Sequence, residues 1–358
     1  MRLVVDALAA RHGGLATYVR GLLRGWSEAA PQDRITVLAT GPFGELIAAD
    51  PGCANHEFRV FASRDPATLW RLVRTEFLLP EHQRNADALL ATMPTIPLAW
   101  RKPVAIVVHD LRHDDRPQEF SARQRLARRI FYTHAYRRAD SIVAISQRVA
   151  DDLITRNPLI SERVSVALHG SDHVAEWQST RTGDAVAFGH HANKEPRLLL
   201  STWKHLTESC NARVPTLHVI GLDEPHRTEL LREATRLGIR DRVMLDPYIP
   251  DHQLEQLMRS ASALLFPSRH EGFGLPVLEA MRQGVPVVIS PDRALHEVAG
   301  GFAAEANGWS PAQLATAVRS AIRMTTRDIN LARDYANQFT WRRSAQITRA
   351  AIVATLRP

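Results

Sequence analysis

Apolar residues in this chain come in short runs, four or five long, separated by amphipathic stretches. Candidate strands are Leu3–Val5, Ile35–Ala39, Phe58–Phe61, Ala88–Ala91, Val104–Val108, Ser141–Ile145 and Val164–Ala167. Between several of them, stretches such as TYVRGLLRGWSEAA and SQRVADDLITR place apolar residues at helical spacing. Such alternation predicts an α/β fold, a parallel sheet with helices on both faces. From Gly170 to Gly183 the pattern lapses into polar, aperiodic sequence, which predicts a hinge. A second series follows: Ala185–Phe188, Leu217–Ile220, Val243–Leu245, Ala263–Phe266 and Val285–Ile289. From Pro311 onward the chain reads as helical, and its last segment starts at the capping residue Thr340. Two doubly wound domains of this kind place a ligand at the carboxyl ends of their strands, in a cleft between the two sheets.

Composition sharpens this picture in a few places. The 358 residues suit two domains, and 45% hydrophobic with 23% charged residues is ordinary globular composition. No apolar run approaches the 20 or so residues of a membrane span. Asp6 sits inside the first apolar segment, so the start reads as a strand rather than a signal peptide. Cys53 and Cys210 lack metal-ligand spacing and fit a reducing cytoplasm. The net charge of +7 suggests nucleic acid, an anionic membrane surface or anionic ligands. Part of it is local: Phe120 to Ala139 holds six arginines (123, 125, 128, 129, 137 and 138) and no acid. Leu126, Ile130, Phe131 and Tyr132 supply an apolar side to that segment. It fits a solvated helix resting on its core, or a helix lying on an anionic membrane surface. No nucleic-acid motif accompanies the charge.

The most informative stretch is SRHEGFGLPVLEAMRQG, Ser268 to Gly284. It lies between two apolar runs and reads as a turn leading into a short helix, with Pro276 near the start and Gly284 as the stop. Free amides of the Gly-Phe-Gly turn and the positive helix end suit a phosphate. Glu279, expected in the first helical turn, can accept paired hydrogen bonds from vicinal hydroxyls, while Glu271 reaches the other end of the same ligand. A diphosphate with polyols, that is a nucleotide sugar, satisfies both. The plain alternative is a Pro-initiated helix with two capping glutamates.

The E-x7-E pattern in EGFGLPVLE, followed by AMRQGVPVV, resembles the donor-site signature of family 4 retaining glycosyltransferases of the GT-B fold. RHGGLATYVRGLL, VVHDLRHDDRPQEF, RADSIVAISQRVADDL, YIPDHQLEQLMRSASALLFPS and QFTWRRSA extend the resemblance over nearly the whole chain. It is especially close to bacterial members that move mannose, rhamnose or related sugars in cell-surface glycan assembly. The resemblance implies two facing Rossmann-like domains with an interdomain cleft and a C-terminal crossover helix. Residues 1–172, with the return of 341–358, would be the acceptor-binding domain, and 173–340 the donor-binding domain.

Carried over by position, the resemblance makes His109, Lys194 and Glu271 the catalytic set. Lys194 would neutralise the donor diphosphate, Glu271 would contact the transferred sugar, and His109 would line the sugar pocket. Gly13, Gly14, Asn193, Lys194, Ile249, Phe273, Gly274, Leu275 and Glu279 would bind the donor, with Glu279 on the ribose and Ile249 by the base through its backbone. The chain departs from the pattern where an arginine usually accompanies the phosphate lysine: His190, His191, Ala192 and Asn193 stand there. His190, Arg197 or Arg269 would have to supply the second contact. The usual Asn-Gly-Val-Asp is here His169, Gly170, Ser171 and Asp172.

No Asp-x-Asp occurs, and the histidines lack zinc-motif spacing, so no metal and no cofactor is expected. The resulting expectation is a metal-independent, retaining hexosyl transfer from a nucleotide-diphosphate sugar, GDP-mannose or a dTDP- or UDP-linked sugar. The acceptor would be a glycan, lipid-linked or small-molecule hydroxyl. The enzyme would be cytoplasmic, peripheral at the inner membrane face, and without a nucleic-acid partner. The competing reading is a non-catalytic relic of the fold that binds a glycan or a protein partner.

Overall fold

The computed structural model describes residues 1–62, 79, 81–190, 192–209 and 214–356; His191 and Cys210 lie outside them. The chain forms two compact units, Met1–His173 with Phe339–Pro358, and Val174–Gln338.

The first unit is built on a seven-stranded sheet. Its strands are β1 (Arg2–Asp6), β2 (Arg34–Thr40), β3 (Glu57–Phe61), β4 (Ala88–Ala91), β5 (Val104–Val108), β6 (Ser141–Ala144) and β7 (Val164–Val166). Their order is β3-β2-β1-β4-β5-β6-β7, and every pairing is parallel. Strands β4, β5 and β6 are buried along their whole length, which is why they read as unbroken apolar runs. Edge strand β3 instead carries exposed Glu57 and Arg59, charges that discourage edge-to-edge pairing.

The C-terminal helix Trp341–Thr355 closes this unit by packing on the helix Gly13–Ala29. Trp341 is 2% exposed and fills a groove floored by glycines. A Cβ on Gly21 would lie 2.1 Å from the indole, one on Gly25 2.2 Å from the Trp341 carbonyl carbon, and one on Gly170 2.2 Å from the Trp341 nitrogen. The Trp341 amide donates to Asp172 Oδ1 at 2.9 Å and its indole Nε1 to His173 Nδ1 at 3.0 Å. Further along the helix, Arg349 and the indole of Trp26 donate to the buried carboxylate of Asp33. Burial alone raises the Asp33 carboxyl, but these hydrogen bonds outweigh it and hold the group below the usual carboxylate range.

The second unit carries β8 (Ala185–Phe188), β9 (Leu217–Ile220), β10 (Val243–Leu245), β11 (Ala263–Phe266), β12 (Val287–Ile289) and β13 (Ala304–Glu305). Their order is β10-β9-β8-β11-β12-β13, again wholly parallel. Trp203, Leu217, Val219, Leu265, Val288, Leu314 and Val318 belong to one buried cluster on this sheet. Helix starts follow capping chemistry: Asp223, Asp292, Ser310 and Thr325 each accept a backbone N–H of the first turn.

Two sequence expectations are corrected here. Strand β13 was not expected, because two residues between glycine-rich turns carry no period. The arginine-rich segment is a helix, Ala122–Arg138, but its apolar residues do not share one face. Tyr132, Ala135 and Tyr136 are buried, whereas Leu126 and Ile130 are 61% and 57% exposed.

The aromatic cluster around Trp341 makes a pH-dependent contribution to stability. His169, 5% exposed, stacks on Trp341 with ring centroids 5.3 Å apart and lies 5.0 Å from the Tyr18 ring. Burial, with the neighbouring His109 and His173, holds its pKa well below the ordinary histidine value. A neutral histidine in the folded state gives stability that is complete above the unfolded pKa of about 6.5 and falls as pH drops below it. His109, His56 and His113 are lowered in the same sense, while Asp33, Asp50 and Glu119, also lowered, titrate in the acid range below this window. Urea midpoints should therefore fall between pH 7.5 and 5.5. The substitution His169→Phe, which keeps a ring in the stack, should shrink that fall by up to about 1.4 kcal/mol per pH unit. An unchanged pH dependence in the variant would contradict the assignment.

Candidate active site

In each sheet the strand order reverses direction once, between β1 and β4 in the first and between β8 and β11 in the second. Loops leaving the carboxyl ends of two such strands run to opposite faces, and the gap they leave is where open α/β sheets bind ligands.

In the second unit both loops carry the expected residues. Asn193 and Lys194 follow β8, and Ser268 to Leu275 follow β11. The Lys194 ammonium lies 2.5 Å from Glu271 Oε1 and 3.8 Å from the centroid of Phe266, with only 6% of the residue exposed. A buried ammonium needs both partners, the carboxylate for its charge and the ring face for its stem side. Asn193, 3% exposed, donates Nδ2 to Ser268 Oγ at 2.9 Å, to the His270 carbonyl at 3.1 Å and to Glu271 Oε1 at 3.4 Å. The Arg269 amide donates back to the Asn193 carbonyl at 3.0 Å. Two loops that are 77 residues apart in sequence are thus stitched across the point of reversal. Asp292, after β12, accepts the Glu271 amide at 3.4 Å while capping the helix Arg293–Ala299.

The turn that follows Glu271 depends on Gly274. Its φ of +102° lies in the left-handed region, and a Cβ there would stand 2.5 Å from Leu295 Cδ2. It caps the helix Leu275–Arg282 with Pro276, which has no amide to satisfy, in the first turn, and its carbonyl accepts the Val277 amide at 2.9 Å. The side chains of Phe273 and Leu275 are buried, at 3% and 8% exposed, so a ligand meets these positions through their backbone. Glu279 is the fifth helical residue and half-buried. It therefore opens the second turn rather than lying in the first as the sequence suggested, because the helix begins at Leu275 under its glycine cap. Ile249 is half-buried in the loop after β10, on the same carboxyl edge, two strands from β8.

The arginines proposed to replace the missing phosphate contact are engaged elsewhere. Arg197 pairs with Glu229 and, at 2.6 Å, with Glu233. Arg269 pairs with Glu195 at 2.5 Å, and its guanidinium lies 4.3 Å from the Trp309 ring. His190 is exposed at the end of β8, beside Gly221.

In the first unit Gly13 and Gly14 start the long helix after β1, both exposed, Gly13 at φ +67° with open space where a Cβ would go. His109 follows β5 and its Nε2 lies 3.0 Å from the Thr92 carbonyl. A carbonyl only accepts, so Nε2 carries the proton. Burial lowers the pKa of the ring, against opposing contributions from Thr92 and Asp110. The ring is then neutral at pH 7 with Nδ1 as an acceptor. Thr92 in turn donates Oγ1 to the Asp6 carbonyl at 2.7 Å, which links the ends of β1, β4 and β5. Tyr18, one turn after Gly14, packs edge-on against His109 at 4.8 Å. Neither Thr92 nor Tyr18 was singled out in the sequence, where nothing in their spacing marks them.

Comparison with known proteins gives the family and the fold. Residues 12–174 match the family "Glycosyltransferase Family 4" and residues 189–338 match "Glycosyl transferases group 1". O-antigen chain mannosyltransferase B of Escherichia coli is 32% identical over 210 residues, 57% of this chain and 52% of that protein. A GDP-mannose-dependent alpha-(1-6)-phosphatidylinositol dimannoside mannosyltransferase of Mycobacterium tuberculosis is 35% identical over 166 residues, 44% and 42% of the two chains. The matched region thus spans about half the length of the curated relatives. Among solved structures, Anabaena HepE in complex with UDP-glucose superposes with a TM-score of 0.77 at 18% identity, covering 99% of this chain and 100% of that one. Two parallel-sheet α/β units of this order, with the C-terminal helix returned to the first, are the GT-B architecture. With both parts of the chain matched, the protein belongs to the family 4 glycosyltransferases.

Proposed function

We propose that the protein transfers a hexose or deoxyhexose from a nucleotide-diphosphate sugar to a hydroxyl acceptor in cell-surface glycan assembly, with retention at the anomeric carbon and without a metal ion. The observation that carries this reading is the Lys194–Asn193–Glu271 constellation at the reversal point of the second sheet. It offers a cation for a diphosphate that gains charge, and a carboxylate beside that cation for sugar hydroxyls. Relatives named as mannosyltransferases, one of them GDP-mannose-dependent, favour a mannosyl-type donor, and HepE is described with UDP-glucose.

In this reading the second unit, Val174–Gln338, holds the donor and the first holds the acceptor. Lys194 supplies positive charge that a metal-using enzyme draws from a bound ion. The bond from the anomeric carbon to the diphosphate oxygen breaks, and the bond to the acceptor oxygen forms on the same face. The acceptor proton passes to the departing diphosphate. His109, neutral with Nδ1 as an acceptor, suits a hydrogen bond from a sugar hydroxyl rather than proton removal. In the same reading Glu279 accepts from the ribose hydroxyls and Ile249 meets the base through its backbone.

The acceptor reading extends to the membrane. Along the exposed face of helix Ala122–Arg138, Arg123, Arg125, Arg129 and Arg137 surround Leu126 and Ile130. Arg128 instead covers the Phe120 ring, and Arg138 donates to the Trp100 carbonyl. Four exposed arginines contribute about 1 kcal/mol each at an anionic surface, and the two apolar side chains add burial. Among the described residues no helix is long and apolar enough to cross a membrane. Peripheral docking of this face would bring the protein to a lipid-linked acceptor.

Two measurements test these statements. Lys194→Ala should lower turnover by about 100-fold or more, the loss expected when one charge-stabilising group is removed. Glu279→Ala should weaken donor binding about tenfold. Wild-type turnover in both variants would overturn the site. In sedimentation with vesicles, wild type should partition to anionic over neutral lipid, and Arg123→Glu with Arg129→Glu should abolish the preference. Equal partitioning throughout would remove the membrane from the account.

A further inference from the structure

Lys194 has two claims on its single charge. In the structure it is paired with Glu271, yet the proposed reaction requires it at the diphosphate. When the ammonium turns to the phosphate, Glu271 loses that contact while remaining half-buried beside the ligand's negative charge. A carboxylate so placed moves toward water unless another donor holds it. Asn193 is such a donor. Its Nδ2 reaches the same oxygen of Glu271, Oε1, that the ammonium occupies. The amide is itself fixed by Ser268 Oγ and the His270 carbonyl, both on the loop that carries Glu271. Its other end, Oδ1, is buried and has no hydrogen-bonding partner. The orientation of the amide is therefore set by the three oxygens its nitrogen serves. A side chain that leaves its own acceptor unsatisfied is retained for what it donates.

We propose that Asn193 is a positioning residue that holds the Glu271 carboxylate in register for the transferred sugar while Lys194 exchanges that carboxylate for the donor diphosphate. The inference rests on the donor reading of this site. It moves Asn193 from a direct donor contact to a brace on Glu271, and it separates the two halves of donor recognition. Lys194 acts on the diphosphate. The Asn193–Glu271 pair acts on the sugar.

Titration calorimetry with GDP and GDP-mannose, with UDP and UDP-glucose, and with dTDP and dTDP-rhamnose, reads that separation directly. The quantity is the ratio of the dissociation constant of the diphosphate to that of its sugar, taken on the pair that wild type binds. Asn193→Asp keeps the size of the side chain, removes the donor and sets a like charge against Glu271. It should lower the ratio by about tenfold to a hundredfold, the worth of a hydrogen bond to a charged group, with diphosphate affinity changed by less than about threefold. Asn193→Ala, which adds no charge, should shift the ratio in the same direction by less and serves if the aspartate variant does not fold. Lys194→Ala should show the opposite pattern, losing affinity for the diphosphate itself. An unchanged ratio in a folded Asn193 variant, or equal loss for diphosphate and sugar, overturns the brace and leaves the donor reading standing. Wild type that binds none of the three pairs overturns the donor reading, and the brace with it.

Discussion

A buried ammonium held between a carboxylate and an aromatic face is the interaction on which the second unit's site depends. Lys194 sits against Glu271 and Phe266 because β8 and β11 are neighbours in a parallel sheet whose order reverses between them. The parallel arrangement sends both loops to the same edge, and the reversal opens a gap there. Everything else in the site serves this juxtaposition. Gly274 allows the turn that aims the start of helix Leu275–Arg282, Asp292 anchors the Glu271 amide, and Asn193 ties the two loops together. Removing one member of such a buried pair leaves the other charge exposed to a low-dielectric surrounding, which is costly. In the proposed reaction an anionic ligand that takes over the lysine would change that balance, coupling donor binding to loop geometry through one side chain.

The first unit solves a different problem, which is to fix the ends of three strands and a returning helix with few polar groups. Trp341 enters a groove that Gly21, Gly25 and Gly170 keep open, and its two N–H groups reach Asp172 and His173. Tyr18 and His169 pack on the same indole, and Tyr18 also meets His109. His109, proposed to meet a sugar, is thus held by the same aromatic cluster that docks the C-terminal helix. Its proton is held by the Thr92 carbonyl, so its orientation and its tautomer have one cause.

Much of this was legible in the sequence, for identifiable reasons. Strands buried on both faces show as apolar runs, so among the described residues twelve of thirteen strands were marked, and the two-residue β13 escaped. The glycine turn and its two glutamates stood out because φ > 0 and free amides need particular residues. The boundary of the helix did not, since the turn of Glu279 follows from where Gly274 caps it and not from Pro276 alone. Partnerships between distant residues were beyond reach. Nothing in a linear reading says that Lys194 meets Glu271, that Arg197 turns to Glu229 and Glu233, or that Arg269 is taken by Glu195 and Trp309. Nor does an arginine-rich segment reveal which of its apolar residues remain outside, as Leu126 and Ile130 do.

The central claim is that the donor is held where β8 and β11 part. Hydrogen exchange read by mass spectrometry, with and without saturating GDP or UDP, tests it most directly. Slowed exchange is predicted in the peptides carrying Asn193–Lys194 and Glu271–Leu275, whose amides line the point of reversal. Protection confined to peptides of the first unit, or to the amino-terminal edge of either sheet, would contradict the account.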